Sequence, residues 1–375
     1  MENIVSTTKS ILIVGQGYVG KAMKERLNSK YEVYTYDTRR DDHDTLISYK
    51  DKPIEAILFC TYLDLNYPEK STRELQQLLN LYSALFPNTL FVIVSTIHPD
   101  MLDELQILNP VVLMPEFLSA KELKQDRLWM RCVVGCDSSE TLARFHEVFP
   151  RQAFYYVTMN YLSMREAALA KLAANAFLAA RVEFANSIAD KVGEFGGDPQ
   201  AVLAAVGMDS RIGQHYFKPS FAFSGPCLPK DTDALITEGA NVNIEIQENL
   251  FEAVGMTNRL RQRNLNGGLV KSHQLKRKVG LNRIGFAPGA EHASFSHMAE
   301  AAKYLRQYDQ RATVYFYDKD VISAPTGLQR CDTLEELFQR VDVIFSESVI
   351  DPVLLKAFNQ VIVVYPWTLR QYLLS

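Results

Sequence analysis

The sequence predicts a doubly wound α/β protein with two parallel sheets and a helical domain between them. Three observations support this fold class. A glycine-rich turn follows an apolar strand pattern early in the chain, strand and helix patterns alternate after it and again near the end, and an alanine-rich helical run separates the two regions. We therefore expect two Rossmann-like domains, at residues 1–157 and 266–375, joined by a central, mainly helical domain at residues 158–265.

The composition is that of an ordinary globular protein. Of its 375 residues 47% are hydrophobic and 22% charged, and the net charge of −4 indicates neither a nucleic acid nor a membrane surface as partner. The first nine residues lack the features of a secretory signal, and no run approaches the roughly 18 apolar residues of a membrane span, so we expect a cytosolic protein. The five cysteines lack the spacing of a disulfide framework and are interpreted as reduced thiols. Cys132 and Cys136 have no accompanying histidine pattern, so we predict no metal site.

The first strand pattern leads into a turn suited to a dinucleotide. Residues 10–14 are apolar, Gly15, Gly17 and Gly20 follow, and a helical pattern continues from there. Glycines permit a tight turn and let the backbone approach a pyrophosphate, while the helix start offers peptide N–H groups to the phosphates. The expected cofactor contacts in this turn are Gly15, Gly17, Tyr18, Val19 and Gly20.

The residue after the second strand pattern indicates which dinucleotide binds. Residues 31–36 are followed by Asp37, whose carboxylate suits the hydroxyls of an adenosine ribose and would repel a 2′-phosphate. This favours NAD as the cofactor. Arg39 and Arg40 come next and could hold a 2′-phosphate, so NADP stays an alternative.

Further apolar runs predict a parallel sheet that is buried on both faces. They occur at residues 54–60, 90–96 and 111–118. Ligands gather at the carboxyl ends of such strands, where Thr96 and Glu116 lie. By itself Thr96 is an ordinary turn former, whereas a glutamate directly after an apolar strand and a proline favours a functional role.

One long helix is predicted for the central domain. Residues 160–197 are rich in alanine and stop at Gly196 and Gly197. Lys171 and Asn175 are four residues apart and therefore lie on one helix face. Without other information, both side chains would be expected in solvent.

A segment broken by prolines and glycines carries the candidate nucleophile. Residues 209–235 do not suit a regular helix or a central strand, and they place Cys227 just before Lys230 and Asp231. A thiol on irregular backbone can open into a cleft, and a nearby lysine favours its thiolate. The alternative is that Cys227 is a small buried hydrophobe, as most cysteines outside disulfides are.

These motifs closely resemble the UDP-glucose dehydrogenase family, within the larger class of UDP-sugar and GDP-mannose dehydrogenases. The resemblance covers residues 10–235 well and the end of the chain in outline. The similar segments are R-I-G at 211–213, K-P-S at 218–220, G-x-C-L-P-K-D at 225–231, S-T-I-x-P at 95–99, P-E-F-L at 115–118 and the central helix at 166–180.

The resemblance implies a role for each candidate residue. Cys227 is expected to be the nucleophile, with Lys171 and Asn175 stabilising the oxyanion. Lys230 is expected at the cofactor site, where it also supplies positive charge near the thiol. Proton and water handling is assigned to Thr96, Glu116 and Asp231. The expected substrate contacts are Phe117, Leu118, Arg211 from a neighbouring subunit, Lys218, Ser220 and Gly225.

The chain also departs from the family pattern. Ala120 stands where a second glutamate is usual, so water handling in the final hydrolysis is expected to differ. Ala222 and Ser224 replace two glycines, which predicts a different loop path or a different sugar. In the last domain, strand patterns are expected at residues 283–286, 312–317, 341–345 and 361–365. There Ala287 and Ser294 stand where lysine and arginine are usual.

The implied reaction is oxidation of the C6 alcohol of a nucleotide sugar to a carboxylate. A thiolate can hold the aldehyde as a thiohemiacetal between two hydride transfers and release the acid from a thioester. We expect UDP-glucose to become UDP-glucuronate for polysaccharide biosynthesis, in a homodimer formed through the central domain. UDP-N-acetylhexosamine and GDP-mannose are alternative substrates. The alternative functions are a weakened relative that only binds a nucleotide sugar or scaffolds an assembly, and a hydroxyacid-type dehydrogenase of similar build.

Overall fold

The computed structural model describes residues 9–41, 43–117, 131–150, 158–236, 248–287, 289–323 and 325–375. The chain divides into two compact units, residues 1–174 and 175–375. Each unit contains its own sheet of mainly parallel strands. The expected division into three domains, at 1–157, 158–265 and 266–375, stays a prediction.

The first unit is built on a seven-stranded sheet. Its strands are β1 (Ser10–Val14), β2 (Glu32–Tyr36), β3 (Ile54–Phe59), β4 (Leu90–Ile93), β5 (Val111–Leu113), β6 (Arg131–Gly135) and β7 (Thr158–Leu162). They lie in the order β2-β1-β3-β4-β5-β6-β7, and all neighbours are parallel except β5 and β6. The order reverses between β1 and β3, which is where doubly wound sheets bind ligands.

Helices connect these strands and cover the sheet. They are α1 (Tyr18–Leu27), α2 (His43–Ile47), α3 (Pro68–Leu85), α4 (Pro99–Glu104), α5 (Ser139–Val148) and the start of α6 (Met164–Glu194). All residues of β1 and β4 are buried, as expected for strands covered on both faces. On one face Phe59 packs edge-on against Tyr82 of α3, with ring centroids 5.4 Å apart. The buried parallel sheet predicted from the apolar runs is confirmed.

The second unit begins with a helical region. It contains the rest of α6, then α7 (Pro199–Val206), α8 (Leu228–Ala234) and α9 (Glu248–Gln274). After α6 the chain turns at Gly196, where φ is +72°, and the Gly197 N–H donates to the Val192 carbonyl. A left-handed residue is a common way to end a helix and suits glycine, so the predicted end at Gly196 and Gly197 is confirmed.

A five-stranded parallel sheet completes the second unit. Its elements are β8 (Val279–Asn282), α10 (His297–Tyr308), β9 (Val314–Tyr317), β10 (Leu328–Arg330), α11 (Leu334–Arg340), β11 (Val343–Ser346), α12 (Pro352–Ala357), β12 (Ile362–Val364) and α13 (Leu369–Leu374). The strand order is β10-β9-β8-β11-β12. With the first sheet and the helical region, this sheet confirms the predicted fold class.

Two local expectations are wrong. Residues 283–286, expected to show a strand pattern, follow β8 as a turn. Arg283 has a φ of +67°, and the Asp318 carboxylate accepts the N–H groups of Ile284 and Gly285. Within the segment 209–235, expected to be irregular throughout, residues 228–234 form α8. Pro229 lies in the first turn of that helix, where its missing N–H costs no hydrogen bond. In the part of the chain that the structure describes, no helix has the length and apolar character needed to span a membrane.

Candidate active site

The glycine turn after β1 has the shape that a dinucleotide needs. Gly15 has a φ of +91°, and a Cβ there would lie 2.7 Å from the carbonyl oxygen of Cys60. A Cβ on Gly20 would lie 1.8 Å from the Gly15 carbonyl oxygen. A Cβ on Gly17, by contrast, would meet nothing within 4 Å. Two glycines therefore allow close packing, while the third leaves open space at the start of α1, beside the exposed Tyr18 and the half-buried Val19.

Asp37 holds this turn from the end of β2. Its Oδ2 accepts the Gln16 N–H at 2.7 Å, and its Oδ1 accepts the Arg39 N–H at 2.9 Å. Partial burial pushes the pKa of Asp37 up, but these two hydrogen bonds and the charges of Arg40 and Arg39 outweigh it and lower the pKa overall. A negative carboxylate thus lies at the edge of the turn, and the side chains of Arg39 and Arg40 are exposed.

Ser95 and Thr96 lie just past the carboxyl end of β4. Ser95 is buried, and its hydroxyl donates to the Thr61 carbonyl oxygen at 2.6 Å. This bond fixes the backbone from which the half-buried Thr96 projects.

Glu116 forms a buried ion pair that sequence reasoning missed. Its Oε2 accepts from Arg26 Nη1 at 3.0 Å, and the side chains of Arg26 and Glu116 are only 5% and 11% exposed. Burial raises the pKa of Glu116, although Arg26, the Phe117 N–H and Lys171 pull it in the opposite direction. A signal for this pair exists in the sequence, since Arg26 follows Met23 by three residues and so shares the apolar face of α1.

Lys171 lies close to the segment that follows β5. It is 7% exposed, and its Nζ lies 5.2 Å from the centroid of the Phe117 ring, within the range of a cation–π contact. Asn175, one turn further along α6, is also 7% exposed. The default expectation that both side chains point into solvent is therefore wrong. Leu118 and Ala120 lie outside the described residues.

A buried carboxylate, Asp231, organises the polar groups of the second unit. It is 1% exposed and accepts from Asn175 Nδ2 at 2.5 Å and from Lys230 Nζ at 2.6 Å. One acceptor thus orients an amide and an ammonium group, and the ammonium compensates its charge. The structure brings together three of the residues singled out from the sequence, although Asn175 and Asp231 are 56 positions apart.

Cys227 lies at the start of α8, one turn before Asp231. Its carbonyl oxygen accepts the Asp231 N–H at 2.9 Å, and its side chain is exposed. The alternative that Cys227 is a buried hydrophobe is therefore wrong. Cys60, Cys132 and Cys331 are buried, and burial raises the pKa of Cys132 to about 12 and that of Cys331 to about 11. Those thiols are protonated and enclosed, whereas Cys227 is open to a reactant.

Hydrogen bonds from several backbone N–H groups hold the loop that leads to Cys227. Gly225 has a φ of +94° and donates its N–H to the Phe295 carbonyl oxygen at 2.9 Å, while Ala222 and Ser224 keep the φ range ordinary for residues with side chains. The loop therefore does not need the left-handed backbone that glycine would allow at those two positions. The Ser220 N–H donates to Asn186 Oδ1 at 2.7 Å, and the Ser220 hydroxyl oxygen is buried.

Two expected substrate contacts lie on the surface of the second unit. The side chain of Arg211 is 87% exposed, and its guanidinium is held by the Asp209 carboxylate. Lys218 is exposed as well. Both cations are available to a ligand or to another subunit.

In comparisons with known proteins the chain is similar to nucleotide-sugar dehydrogenases. The model of the UDP-glucose/GDP-mannose dehydrogenase family, central domain, matches residues 165–260, which include Lys171, Asn175 and Cys227. UDP-glucose 6-dehydrogenase of Streptococcus pneumoniae is 26% identical over 346 residues, which cover 81% of this chain and 86% of that protein. The central part of this chain thus matches that family's central domain, and most of its length is similar to a UDP-glucose 6-dehydrogenase.

Other relatives of this family match the chain to different extents. UDP-glucose 6-dehydrogenase TuaD of Bacillus subtilis is 37% identical over 149 residues, which are 40% of this chain and 31% of that protein. The solved structure of a UDP-glucose dehydrogenase from Pyrobaculum islandicum matches with a TM-score of 0.73 at 22% identity, over 98% of this chain and 96% of that chain. At that identity the match establishes the shared fold. The family consists of nucleotide-sugar dehydrogenases.

Proposed function

We propose that this protein is an NAD-dependent dehydrogenase that oxidises the C6 alcohol of a nucleotide sugar to the carboxylate, most simply UDP-glucose to UDP-glucuronate. The observation that supports it best is the arrangement on α8. An exposed thiol, Cys227, begins the helix, and one turn later a buried carboxylate orients Asn175 and Lys230. An ordinary alcohol dehydrogenase needs no such thiol.

The thiol explains how a single protein can carry out two oxidations. The first hydride transfer, with loss of the hydroxyl proton, leaves an aldehyde. Cys227 Sγ then adds to its carbonyl carbon, and the oxygen takes up a proton to give a thiohemiacetal. Loss of the second hydride with the hydroxyl proton gives a thioester, and water then cleaves the C–S bond to release the acid and the thiolate. The aldehyde stays bound between the two steps, which is the purpose of a covalent intermediate here.

The turn after β1 fits the cofactor. NAD, when bound, supplies the hydride acceptor, and each of the two oxidations consumes one NAD molecule. Gly15 and Gly20 hold the turn tight, Gly17 leaves room at the start of α1, and the Asp37 carboxylate lies where the adenosine ribose is expected. The lowered pKa of Asp37 keeps it negative at neutral pH, which disfavours the 2′-phosphate of NADP.

The polar groups on α6 are assigned to the developing oxyanion. Lys171 supplies a positive charge and Asn175 an amide donor, one helical turn apart. Asp231 already accepts from Asn175 and Lys230, so we assign it to orienting these groups, next to its predicted part in proton handling. Glu116, whose pKa is raised by burial, is assigned with Thr96 to handling the water that cleaves the thioester.

We also propose a homodimer formed through the helical region. The second-unit part of α6 exposes Phe177 and Phe184, which are 63% and 51% exposed, and Arg181 lies over the rings of Phe177 and Phe217. Large aromatic side chains on one open helix face are typical of subunit interfaces. Phe177→Asp is expected to halve the mass measured by light scattering. Ile322→Asp is the control and should leave the mass unchanged, because Ile322 is similarly exposed but lies in a loop of the second sheet.

The decisive experiment is a stoichiometric assay. The purified protein is incubated with NAD and, one at a time, UDP-glucose, UDP-N-acetylhexosamines and GDP-mannose, while NADH and the product mass are recorded. We expect two NADH per sugar nucleotide, a mass gain corresponding to a carboxylate, and loss of acid formation by at least about a thousandfold in Cys227→Ser. Cys136→Ser is the matched control and should keep wild-type activity.

The same assay separates the competing functions. One NADH per turnover without dependence on Cys227 would establish a simple alcohol or hydroxyacid dehydrogenase. Binding of a sugar nucleotide without NADH formation would establish a binding protein. The cytosolic location and the role in polysaccharide biosynthesis stay predictions.

A further inference from the structure

A histidine outside the motifs of the family connects the second sheet to the cysteine loop. His297, the first residue of α10, is 5% exposed, and its two ring nitrogens contact different partners. Nδ1 lies 2.9 Å from the hydroxyl oxygen of Ser224, three residues before Cys227. Nε2 lies 2.7 Å from Oε1 of Glu347, the residue after β11.

Glu347 also holds the loop directly. The same oxygen, Oε1, accepts the backbone N–H of Phe221 at 3.1 Å. The loop from Phe221 to Ser224 is therefore bound at both ends to one carboxylate, directly at Phe221 and through His297 at Ser224. A hydrogen-bond network that joins both ends of a short loop restricts the backbone conformation between them.

The charge state of the carboxylate determines the direction of these bonds. Burial pushes the pKa of Glu347 up, but the charge and hydrogen bond of His297, the Phe221 N–H and the charge of Arg283 together lower it. An ionised Glu347 accepts, so His297 Nε2 carries a proton. At Nδ1 a charged ring donates to the Ser224 hydroxyl oxygen and a neutral ring accepts from that hydroxyl, so the contact with Ser224 forms in either state.

We propose that His297 is a positioning residue: its contact with Ser224 holds the loop that presents Cys227, while Glu347 orients its ring. The kinetic part of this inference rests on the proposed function of Cys227. The structural part does not, because it concerns the loop alone.

Two substitutions of His297 separate its two contacts. Asparagine keeps a polar atom near the position of Nδ1 and loses the contact with Glu347, whereas glutamine keeps one near Nε2 and loses the contact with Ser224. Ser224→Ala removes the same contact as His297→Gln from the other side. The double variant His297→Gln with Ser224→Ala should change loop exchange and kcat no more than either single variant does. The reason is that both substitutions remove the same contact between His297 and Ser224.

Hydrogen exchange of the peptide spanning 218–228 is the readout that does not need activity. We expect His297→Gln and Ser224→Ala to raise its exchange rate about tenfold, and His297→Asn to stay within about twofold of the wild type. In the assay with NAD and the sugar nucleotide, the first two should lower kcat by a similar factor and leave the KM for NAD unchanged.

The outcomes are distinct. If asparagine and glutamine change exchange and melting temperature alike, His297 only fills space in the fold and the proposal is wrong. If exchange separates the variants while no NADH forms with any sugar nucleotide, the positioning role stands and the proposed reaction falls. If exchange in the loop is unchanged in Ser224→Ala, the link through Ser224 is refuted.

Discussion

The turns that follow the first strand of each sheet, β1 and β8, begin with a left-handed residue and the same pattern of hydrogen bonds, and then lead to different surroundings. Gly15 after β1 donates its N–H to the carbonyl oxygen of Tyr36 at the end of β2, and Arg283 after β8 donates to that of Tyr317 at the end of β9. Both residues have a left-handed φ, +91° and +67°. The next N–H is accepted by an aspartate, Asp37 or Asp318, that follows the neighbouring strand.

The two turns diverge after this shared start. In the first sheet, helix α1 begins at Tyr18, and the open space at Gly17 leaves room for a phosphate. In the second sheet, α10 begins only at His297, and the intervening loop turns toward the cysteine segment, to which it contributes the Phe295 carbonyl and the Phe286 ring at Gly225. After the same start, one turn therefore leaves open space at a helix start and the other turns toward the loop of Cys227, depending on where the next helix begins.

The two units also bury their carboxylates differently. Burial raises the pKa of Glu116 despite its ion pair with Arg26, whereas the partners of Glu347, His297 first among them, overcome burial and lower its pKa. The first pair lies inside the first unit, whereas the second lies at the loop before Cys227.

The largest effect is expected at the ion pair of the first unit. Arg26→Ala leaves Glu116 buried without its compensating charge and should lower the free energy of unfolding by about 3–5 kcal/mol. Chemical denaturation measures this. The double variant Arg26→Met with Glu116→Gln removes both charges and should recover most of the loss. A single variant as stable as the wild type would show that the pair contributes nothing.

The next largest effect tests the shared left-handed conformation. Gly15→Ala adds a Cβ 2.7 Å from the Cys60 carbonyl oxygen at a φ of +91°, and should cost about 2–4 kcal/mol of stability and roughly a hundredfold in kcat/KM for NAD. Arg283→Gly is the matched control, because glycine accepts the same φ freely, and should change stability by no more than about 1 kcal/mol. Equal losses at the two positions would contradict the comparison.

The two aspartates should separate cofactor binding from stability. Asp318→Ala leaves the N–H groups of Ile284 and Gly285 without their acceptor and should cost about 1–3 kcal/mol with an unchanged KM for NAD. Asp37→Ala should raise the KM for NAD about tenfold. It should also lower the ratio of kcat/KM with NAD to kcat/KM with NADP. Kinetics with both cofactors and thermal unfolding decide this. A raised KM for NAD in Asp318→Ala would mean that the second turn also serves the cofactor.

The smallest effect concerns acid sensitivity. Because the pKa of Glu347 is lower in the folded chain than its ordinary value of 4.5, its contribution is present above that pH and is lost as the pH falls through the folded pKa. Glu347→Gln should therefore destabilise the protein at pH 7 and differ less from the wild type as the pH falls below about 4.5. Denaturation at several pH values measures the difference. A constant difference at all pH values would mean that Glu347 acts without its charge.

The sequence by itself determined much of this protein. Continuous apolar runs predict buried parallel strands, the glycines at 15, 17 and 20 with Asp37 predict the dinucleotide turn, and the alanine-rich run predicts α6 with its end at Gly196. These features are local, because a period, a turn residue or a helix end depends on neighbours in the chain. The cysteine segment could be singled out in the same way.

Tertiary structure alone decided which side chains meet. Arg26 and Glu116 are 90 positions apart, Asn175 and Asp231 56, and Ser224 and His297 73. No local pattern encodes such distances, since they depend on how strands and helices pack. The turn at Arg283 also depends on tertiary structure. There the Asp318 carboxylate accepts the N–H groups of Ile284 and Gly285, so the strand ends where the sequence pattern predicted that it would continue.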